Sequence, residues 1–244
     1  MLITLLKGLS AKDEATQRAL QTLLAWDYRM EPDSIAATIY TTWMKILSKN
    51  ACNLCVPKEA QVIFPPRPSA KVIDLILSPN ESFGPDPLAT RNTLLIQSLA
   101  QAVQSLRERL GRDMSHWQYG QEKYHHVNIQ HMLSSAVNDQ LRRLLDVGPL
   151  PRGGDGDTVN NTSDNDNQTS GATFRIIVDL GDWDNSLGTN APGQSGDPRN
   201  RHYADLFPMW AKGKYFPVFF SRDKILSVAE KATILEPGQP SSKI

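Results

Sequence analysis

The stretch ATFRIIVDLGD, residues 172–182, decides the fold together with GQSGDPRNRHYAD, residues 193–205. In the first segment apolar side chains occupy every second position from Ala172 to Leu180, and Thr173, Arg175 and Asp179 lie between them. This alternation predicts a β-strand with one buried face. A turn at 181–185 and a second run at 186–190 predict that the chain returns as a neighbouring strand.

The second segment contains a serine between glycines, Gly193-Gln194-Ser195-Gly196-Asp197. The nucleophile elbow of α/β-hydrolases needs glycine two residues after its serine and a strand that runs directly into it. Asp197 stands at that position and no strand is predicted immediately before it. The segment is therefore predicted to be a turn, in which glycine allows positive φ and serine makes local hydrogen bonds.

Residues 1–112 carry the periodicity of helices and form a mainly helical segment. Residues 10–13 have the form of a capping box, Ser34 and Asp86 predict two further helix starts, and Gly111 predicts a helix end. Apolar residues follow each start at three- and four-residue steps. These stripes are Leu20, Leu23 and Leu24; Ile35, Ile39, Trp43, Ile46 and Leu47; and Leu94, Leu95, Leu99, Ala102, Val103, Leu106 and Leu110. The proline-rich residues 64–68 and the apolar patch at 72–77 are predicted to be a connector.

Residues 113–236 form a mixed segment of strands, short helices and loops, so the fold class is α+β. Val127 and Ile129 predict a strand, and Leu141, Leu144 and Leu145 predict a short helix. Residues 149–171 are rich in glycine, aspartate and asparagine and are predicted to be a partly flexible loop. Downstream we expect a helix at 206–211, a strand at 215–220, a helix that begins at Ser221, and a disordered tail at 237–244.

Composition excludes several classes of protein. The 244 residues carry 26 basic and 26 acidic side chains, so the formal net charge of zero does not favour nucleic acid as a partner. The sequence has no run of about 20 apolar residues that could cross a bilayer. Residues 1–6 are apolar but lack the basic start and the cleavage site of a signal peptide. The compartment therefore stays open, because an export signal would lie at the start of a longer precursor.

Three groups of residues could in principle hold a metal or act as nucleophiles. The cysteines Cys52 and Cys55 form a single C-x-x-C without a second ligand pair, which favours ordinary thiols or an incidental disulfide over zinc or redox chemistry. The aspartates of residues 152–158 do not follow the calcium-loop pattern, which favours surface carboxylates with Arg152 as an ion-pair partner. The histidines lack compact ligand spacing: His116, His125, His126, His131 and His202.

Several ordered motifs resemble the penicillin acylase family of N-terminal-nucleophile hydrolases. The motif W-x-[WY]-G…H-x-L is matched by Trp117, Tyr119, Gly120, His131 and Leu133, and residues 154–160 resemble the family's glycine–aspartate loop, with Gly154 and Asp155 at its start. Residues 175–182, which include Asp179, are similar to the family strand and turn. The family signature G-Q-S-G…H-Y-x-D corresponds to Gly193, Gln194, Ser195, Gly196, His202, Tyr203 and Asp205, and Trp210 continues it. The resemblance spans most of residues 10–236.

The resemblance implies the C-terminal portion of an αββα sandwich and an enzyme that cleaves linear amides through an acyl-enzyme. In this family a serine at the start of the large chain is the nucleophile and its own α-amino group is the base, while an asparagine stabilises the oxyanion. Both residues lie upstream of the matched region. This chain is therefore expected to contain no catalytic residue. In some relatives a carboxylate near the strand turn orients a histidine, and Asp182 occupies a comparable place. The favoured alternative is that Asp182 accepts hydrogen bonds from the backbone of its own turn.

The resemblance also implies partners and ligands. We expect no cofactor, because the calcium ligands of the full-length family enzyme lie mostly upstream. The expected partners are the upstream half of the same enzyme and a small acyl amide, such as a penicillin, a cephalosporin or an acyl-homoserine lactone; full-length relatives are usually periplasmic or secreted. Two alternatives remain. The chain could be a non-catalytic binding or scaffolding module, or an enzyme that uses Ser195 or Cys52 as an unconventional nucleophile.

Overall fold

The computed structural model describes residues 2–61, 63, 70–121, 123–163 and 167–235. The helices are α1 (Glu14–Leu24), α2 (Ile35–Cys55), α3 (Ala70–Leu77), α4 (Pro87–Leu110), α5 (Asp139–Leu145), α6 (Phe207–Ala211) and α7 (Arg222–Val228). The strands are β1 (His126–Ile129), β2 (Val147–Pro151), β3 (Asn167–Gln168), β4 (Arg175–Ile177), β5 (Leu187–Thr189) and β6 (Phe216–Pro217). The chain consists of two compact units, Met1–Gly171 and Ala172–Ile244. The fold class is α+β, as predicted.

The first unit is built on α1, α2 and α4, which share one apolar core. Ser34 and Asp86 cap α2 and α4 as predicted, since their side chains accept hydrogen bonds from the amides of Ala37 and Ala89. The indole of Trp43 on α2 is fully buried and donates to the carbonyl oxygen of Leu95 on α4, at 3.1 Å. The helices therefore form where local caps and the 3.6-residue period coincide.

Two predictions in this unit were wrong. The cap of α1 is Asp13 and not Ser10, because the Asp13 carboxylate accepts from the amide of Thr16 at 2.9 Å. Residues 70–77, predicted to be a connector, form α3, and its residues Val72 and Ile76 are buried one helical turn apart. The proline-rich residues 64–68 lie outside the described residues. None of the helices in the described part of the chain is both long enough and apolar enough to cross a membrane.

A small sheet of order β2-β1-β3 completes the first unit. β1 pairs antiparallel with β2, so that Val127 lies opposite Leu150, and parallel with β3, so that Val127 lies opposite Gln168. The strand and the α5 helix were predicted. The predicted loop at 149–171 supplies the end of β2 and all of β3, and it buries Arg152, Thr162 and Gln168. These side chains are polar, so hydrogen bonds hold this segment in place of the apolar contacts that its composition cannot provide.

The second unit contains an antiparallel sheet of order β4-β5-β6. Ile176 lies opposite Gly188 and Gly188 lies opposite Phe216. The hairpin of β4 and β5, the helices α6 and α7, and a strand within 215–220 were all predicted, although each strand is shorter than expected. The end of α7 is followed by residues that are described up to position 235, so the predicted tail at 237–244 lies outside the described residues.

The prediction that β4 has one buried face was wrong. Ile176 and Ile177 point to opposite faces of the sheet, and their exposed fractions are 49% and 53%. Val178 and Leu180, which continue the alternation beyond the strand, are 53% and 84% exposed. Arg175, on the same face as Ile177, donates to the carbonyl oxygen of Trp210 at 3.0 Å, so that face is only partly covered. The alternation that predicted burial therefore leaves apolar side chains at the surface.

Candidate functional site

Arg152 organises the glycine–aspartate loop, residues 154–160. Its guanidinium is fully buried, and Nη2 donates to the side-chain oxygen of Asn160 at 2.6 Å and to the backbone oxygen of Asn161 at 3.3 Å. Nη1 donates to the side-chain oxygen of Gln168 on β3, at 3.3 Å. The expected surface ion-pair role of Arg152 is therefore replaced by a buried link between the loop and the sheet, because this segment offers carbonyl acceptors in fixed positions.

Glycines allow the loop to approach the segment at 30–32. The amide of Gly154 donates to the carbonyl oxygen of Met30 at 2.9 Å, and Gly154 has φ +87°. A Cβ atom on Gly153 would collide with the Met30 carbonyl oxygen, and one on Gly120 would lie 2.6 Å from Cβ of Pro32. The signature glycines of this region therefore serve close backbone contacts.

An aromatic cluster with a buried histidine lies beside the loop. The rings of Tyr119 and His125 are stacked with centroids 4.0 Å apart, and Tyr124 meets His125 edge-on at 4.3 Å. The Tyr119 hydroxyl donates to the carbonyl oxygen of Gly154 at 2.9 Å, and Nδ1 of His125 lies 3.3 Å from Nε2 of Gln168. Nε2 of His125 is buried and has no hydrogen-bond partner among the described residues.

Burial lowers the pKa of His125 from 6.5 to about 3, and the positive charges of Lys45, Arg109 and His126 contribute to the shift. The imidazole is therefore neutral at physiological pH. A neutral ring can stack on Tyr119 without the cost of a desolvated charge. Because the ring is enclosed, its role is to support the loop.

This histidine should make stability depend on pH. Between pH 6.5 and about 3 the unfolded chain binds a proton that folded His125 does not. The contribution of neutral His125 to the free energy of unfolding is therefore complete above pH 6.5. It is lost as the pH falls, by up to about 1.4 kcal/mol per pH unit. Urea unfolding at pH 7 and pH 5 should show this loss of unfolding free energy in the wild type and a smaller loss in His125→Asn. Asparagine suits the φ of 49° at this position.

The matched control is His116→Asn, at an exposed position. It should retain the wild-type dependence of unfolding free energy on pH. Equal slopes in His125→Asn and the wild type would show that the buried ring is not responsible.

The Gly-Gln-Ser-Gly segment is hydrogen-bonded to the backbone of His202. The amides of Gln194 and Ser195 both donate to the His202 carbonyl oxygen, at 2.8 and 3.0 Å. A Cβ atom on Gly193 would collide with that oxygen and lie 2.7 Å from the carbonyl carbon of Tyr203. Neither Gly193 nor Gly196 has positive φ, so the predicted reason for these glycines was wrong. Close approach of the backbone is the reason at Gly193.

The side chains of this segment do not form a nucleophile–base pair. The Ser195 hydroxyl accepts from the amide of Asp197 at 3.1 Å, which is a local turn contact. Nδ1 of His202 lies 2.7 Å from the carboxylate of Asp205, and Nε of Arg201 donates to Nε2 of His202 at 2.9 Å. Both ring nitrogens of His202 therefore have partners other than Ser195, and the hypothesis of Ser195 as a nucleophile gains no support.

The strand turn after β4 is held by two aspartates. Oδ1 of Asp179 accepts from the amides of Gly181 and Asp182, at 2.8 and 3.1 Å. Oδ1 of Asp182 accepts from the amide of Asp184 at 3.1 Å. Before the strand, the indole of buried Trp210 donates to the carbonyl oxygen of Ala172 at 2.8 Å. In this geometry Asp182 supports its own turn; its orienting role toward an upstream histidine stays a prediction.

The remaining signature residues also have structural contacts. The indole of buried Trp117 donates to the carbonyl oxygen of Gly111 at 2.9 Å. Nδ1 of His131 accepts from the amide of Leu133 at 3.1 Å, and Oδ1 of Asp155 accepts from the amide of Asp157 at 3.0 Å. Tyr203 ends a short 3₁₀ helix, Arg201–Tyr203. The structure thus distributes the sequence-predicted residues between two backbone frameworks, one in each unit.

The cysteines and carboxylates do not build a metal centre in the described residues. Cys52 and Cys55 lie in the last turn of α2 and are not joined in a disulfide. Within the ranges that the structure describes, no three histidine, cysteine, aspartate or glutamate side chains are grouped closely enough to hold a metal ion. The expectation that this chain needs no cofactor stays a prediction.

Sequence reasoning missed the burial of Arg152, His125 and Gln168, all of which are 0% exposed. The available signal was the density of asparagine and glutamine in residues 160–168, since side-chain carbonyl oxygens are acceptors for a guanidinium. For His125 the sequence offered the neighbouring tyrosines, Tyr119 and Tyr124, which could form an aromatic enclosure.

The family model described as penicillin amidase matches residues 1–227. The chain belongs to the penicillin amidase family. The resemblance drawn from the ordered motifs is therefore confirmed.

Two curated relatives are acylases. Penicillin acylase 2 proenzyme of Pseudomonas sp. (strain SE83) is 30% identical over 234 residues, which cover 89% of this chain and 28% of that protein. Acyl-homoserine lactone acylase QuiP of Pseudomonas aeruginosa is 35% identical over 136 residues, which cover 50% of this chain and 16% of that protein. Family membership therefore indicates an amide hydrolase at the level of the family.

A solved structure is similar in fold. The thermostable penicillin G acylase from Alcaligenes faecalis matches 98% of this chain and 46% of its own chain, with a TM-score of 0.50 and 20% sequence identity. The present chain thus spans less than half of that chain, and 28% of penicillin acylase 2 proenzyme.

Proposed function

We propose that this chain supplies the C-terminal part of a penicillin-amidase-type hydrolase that cleaves linear amide bonds in acyl side chains. Substrates would be penicillins, cephalosporins or acyl-homoserine lactones, and the nucleophile would lie outside this chain. The observation that carries the proposal is the family match over residues 1–227. The relatives named as penicillin and acyl-homoserine lactone acylases support the substrate class.

In the proposed mechanism a serine of the missing part attacks the amide carbonyl and forms an acyl-enzyme, which water then hydrolyses. This chain would complete the αββα sandwich that positions the serine. The contacts of its signature residues support such a role. Gly153, Gly154 and Gly193 stand where backbones approach closely, and the Ser195 hydroxyl is engaged in a local turn.

Apolar surface in the second unit supports a partner segment. β4 and β6 are the two edge strands of the described sheet. Large apolar side chains on and around the sheet are at least half exposed: Phe174, Ile177, Val178, Leu180, Trp183 and Phe220. Open edges and exposed apolar side chains favour association. The upstream part of the same enzyme would cover this surface.

The test is hydrolysis of a phenylacetyl or long-chain acyl anilide. We expect no turnover by this chain alone. We expect turnover when it is co-expressed with the part of penicillin acylase 2 proenzyme that it does not match. Binding of the dye ANS to exposed apolar surface should be strong for the chain alone and should fall on pairing. Ile177→Lys, in the edge strand, should weaken pairing, whereas Ile234→Lys should not, because Ile234 is exposed outside the sheet.

The outcomes are distinguishable. Turnover by the chain alone would contradict the proposal and would require a nucleophile within these residues. A pair that forms, loses ANS binding and remains inactive would favour the alternative, a non-catalytic binding or scaffolding module of the same fold. Equal effects of the two lysine substitutions would show that the sheet surface is not the contact.

A further inference from the structure

A cavity of about 530 Å³ lies in the first unit, beside the glycine–aspartate loop. Trp26, Tyr28, Met30 and Tyr40 of α2 line it, as do Asp155, Asp157 and Thr158 of the loop. Asp74 and its neighbours on α3 line a further part. None of the contacts described for the family signature uses the aromatic residues of this cavity.

Three aromatic rings form its wall. The ring of Trp26 lies 5.7 Å from that of Tyr28 and 5.1 Å from that of Tyr40, and both pairs are tilted by about 43–44°. Several aromatic rings around one space are the arrangement that binds quaternary ammonium ions. Tyr28 has φ 65°, a conformation uncommon for a bulky residue, and 59% of its surface is exposed. Its ring is therefore available to a ligand.

The charges that line the cavity have one sign. Asp74, Asp155 and Asp157 are among the lining residues, and no lysine, arginine or histidine belongs to the described lining. The pKa of Tyr40 is raised, first by burial and then by the charges of Asp155 and Asp157. The loop carboxylates therefore impose a negative potential on the aromatic wall.

The two sides of the cavity are fixed to each other. The amide of Gly154 donates to the carbonyl oxygen of Met30 at 2.9 Å, which joins the loop to the aromatic segment. The indole of Trp26 donates to the carbonyl oxygen of Arg29 at 3.1 Å and fixes the turn that bears Tyr28. Folding has therefore already ordered these side chains, so a ligand would lose little affinity to ordering them on binding.

We propose that this cavity binds an organic ammonium ion with an apolar body, such as an aryl- or alkylammonium. The aromatic rings and Met30 would contact the apolar body, and the loop carboxylates would face the positive nitrogen. A metal ion fits less well, because no three carboxylates or other ligands are grouped closely enough among the described residues, and calcium takes six to eight oxygens. This inference does not rest on the proposed amide hydrolysis.

The test is titration of the full chain with benzyltrimethylammonium by calorimetry, with the indole N–H signal of Trp26 as a local NMR reporter. Benzyl alcohol, a neutral aryl compound, should bind about tenfold more weakly. Tyr28→Asn removes a ring while suiting the positive φ, and it should weaken ammonium binding about tenfold. Asp157→Asn should weaken it about threefold, because the carboxylate is exposed.

Asp223→Asn is the matched control, since it removes the same charge from an exposed position of α7 in the other unit. It should leave the affinity unchanged, and every variant should keep the wild-type thermal transition. Equal binding of benzyl alcohol would overturn the proposal in favour of a plain apolar cavity. Displacement of the ammonium probe by calcium would identify a metal site instead. If the probe bound without shifting the Trp26 signal, its site would lie elsewhere. Full affinity in both Tyr28→Asn and Asp157→Asn would lead to the same conclusion.

Discussion

Replacing Gly193 by alanine is expected to lower the stability of the second unit by about 3 kcal/mol. The added Cβ atom would collide with the carbonyl oxygen of His202 and lie 2.7 Å from the carbonyl carbon of Tyr203. Both obstacles are backbone atoms, which cannot move aside as a flexible side chain can. The amide bonds from Gln194 and Ser195 to His202 would therefore lengthen or break.

Hydrogen exchange provides the measurement, because it reports the two units separately. Peptides that contain the amides of Gln194 and Ser195 should lose protection in Gly193→Ala, while peptides from α2 and α4 should keep theirs. Gly196→Ala is the matched control in the same motif, since nothing lies within 4 Å of its Cβ position and its φ is not positive. It should change stability by no more than about 0.5 kcal/mol. Equal protection in the two variants would show that the close contact is tolerated.

The comparison of Gly193→Ala with Gly196→Ala distinguishes two possible roles of the Gly-Gln-Ser-Gly motif. A serine between glycines suggests nucleophilic chemistry, and that meaning requires access to the Ser195 hydroxyl. The structure instead uses the glycine for backbone contact and the serine for a local turn. A large effect at Gly193 with a small one at Gly196 would indicate a packing motif. The family function would then depend on chemistry elsewhere.

The helices were predictable because their signals are local. Ser34, Asp86 and Gly111 stand at the ends of periodic stripes, and each acts at its predicted position. The cap of α1 was misplaced by three residues, because Ser10 and Asp13 are both acceptable caps and only tertiary geometry selects one. α3 was missed because its eight residues follow several prolines, which favour a connector.

The burial of β4 could not be predicted from alternation alone. Apolar residues at every second position indicate a strand with an apolar face, but the elements that could cover this face are distant in sequence. Ile176 and Ile177 remain 49% and 53% exposed. The same limit applied to residues 149–171, whose polar composition predicted a partly flexible loop. Arg152 and Gln168 are buried there because hydrogen-bond partners meet across two strands and a loop.

The family resemblance was predictable, since it depends on the order of motifs and not on geometry. The role of each signature residue was not. Trp117 donates to Gly111, and Asp179 accepts from two amides of its own turn. These roles depend on atoms within about 3 Å, which sequence spacing does not resolve.

Replacing Arg152 by methionine is expected to destabilise the first unit by about 3 kcal/mol. The substitution keeps the length of the side chain but leaves the oxygens of Gln168, Asn160 and Asn161 without their donor. Loss of the buried positive charge returns part of its desolvation free energy. The lost hydrogen bonds of the charged guanidinium and the buried Gln168 oxygen left without its donor nevertheless outweigh that return, because each such loss costs about 1–3 kcal/mol.

Urea unfolding and hydrogen exchange at the amide of Gly154, which bonds Met30, provide the measurement. Arg152→Lys should lie between the wild type and Arg152→Met, because an ammonium keeps the charge but cannot reproduce the planar fork. Arg143→Met, at an exposed position of α5, should change stability little. If Arg152→Met were as stable as the wild type, the glycine contacts with Met30 would be sufficient to hold the loop. The guanidinium would then have to be explained by the chemistry of the whole enzyme and not by the folding of this chain.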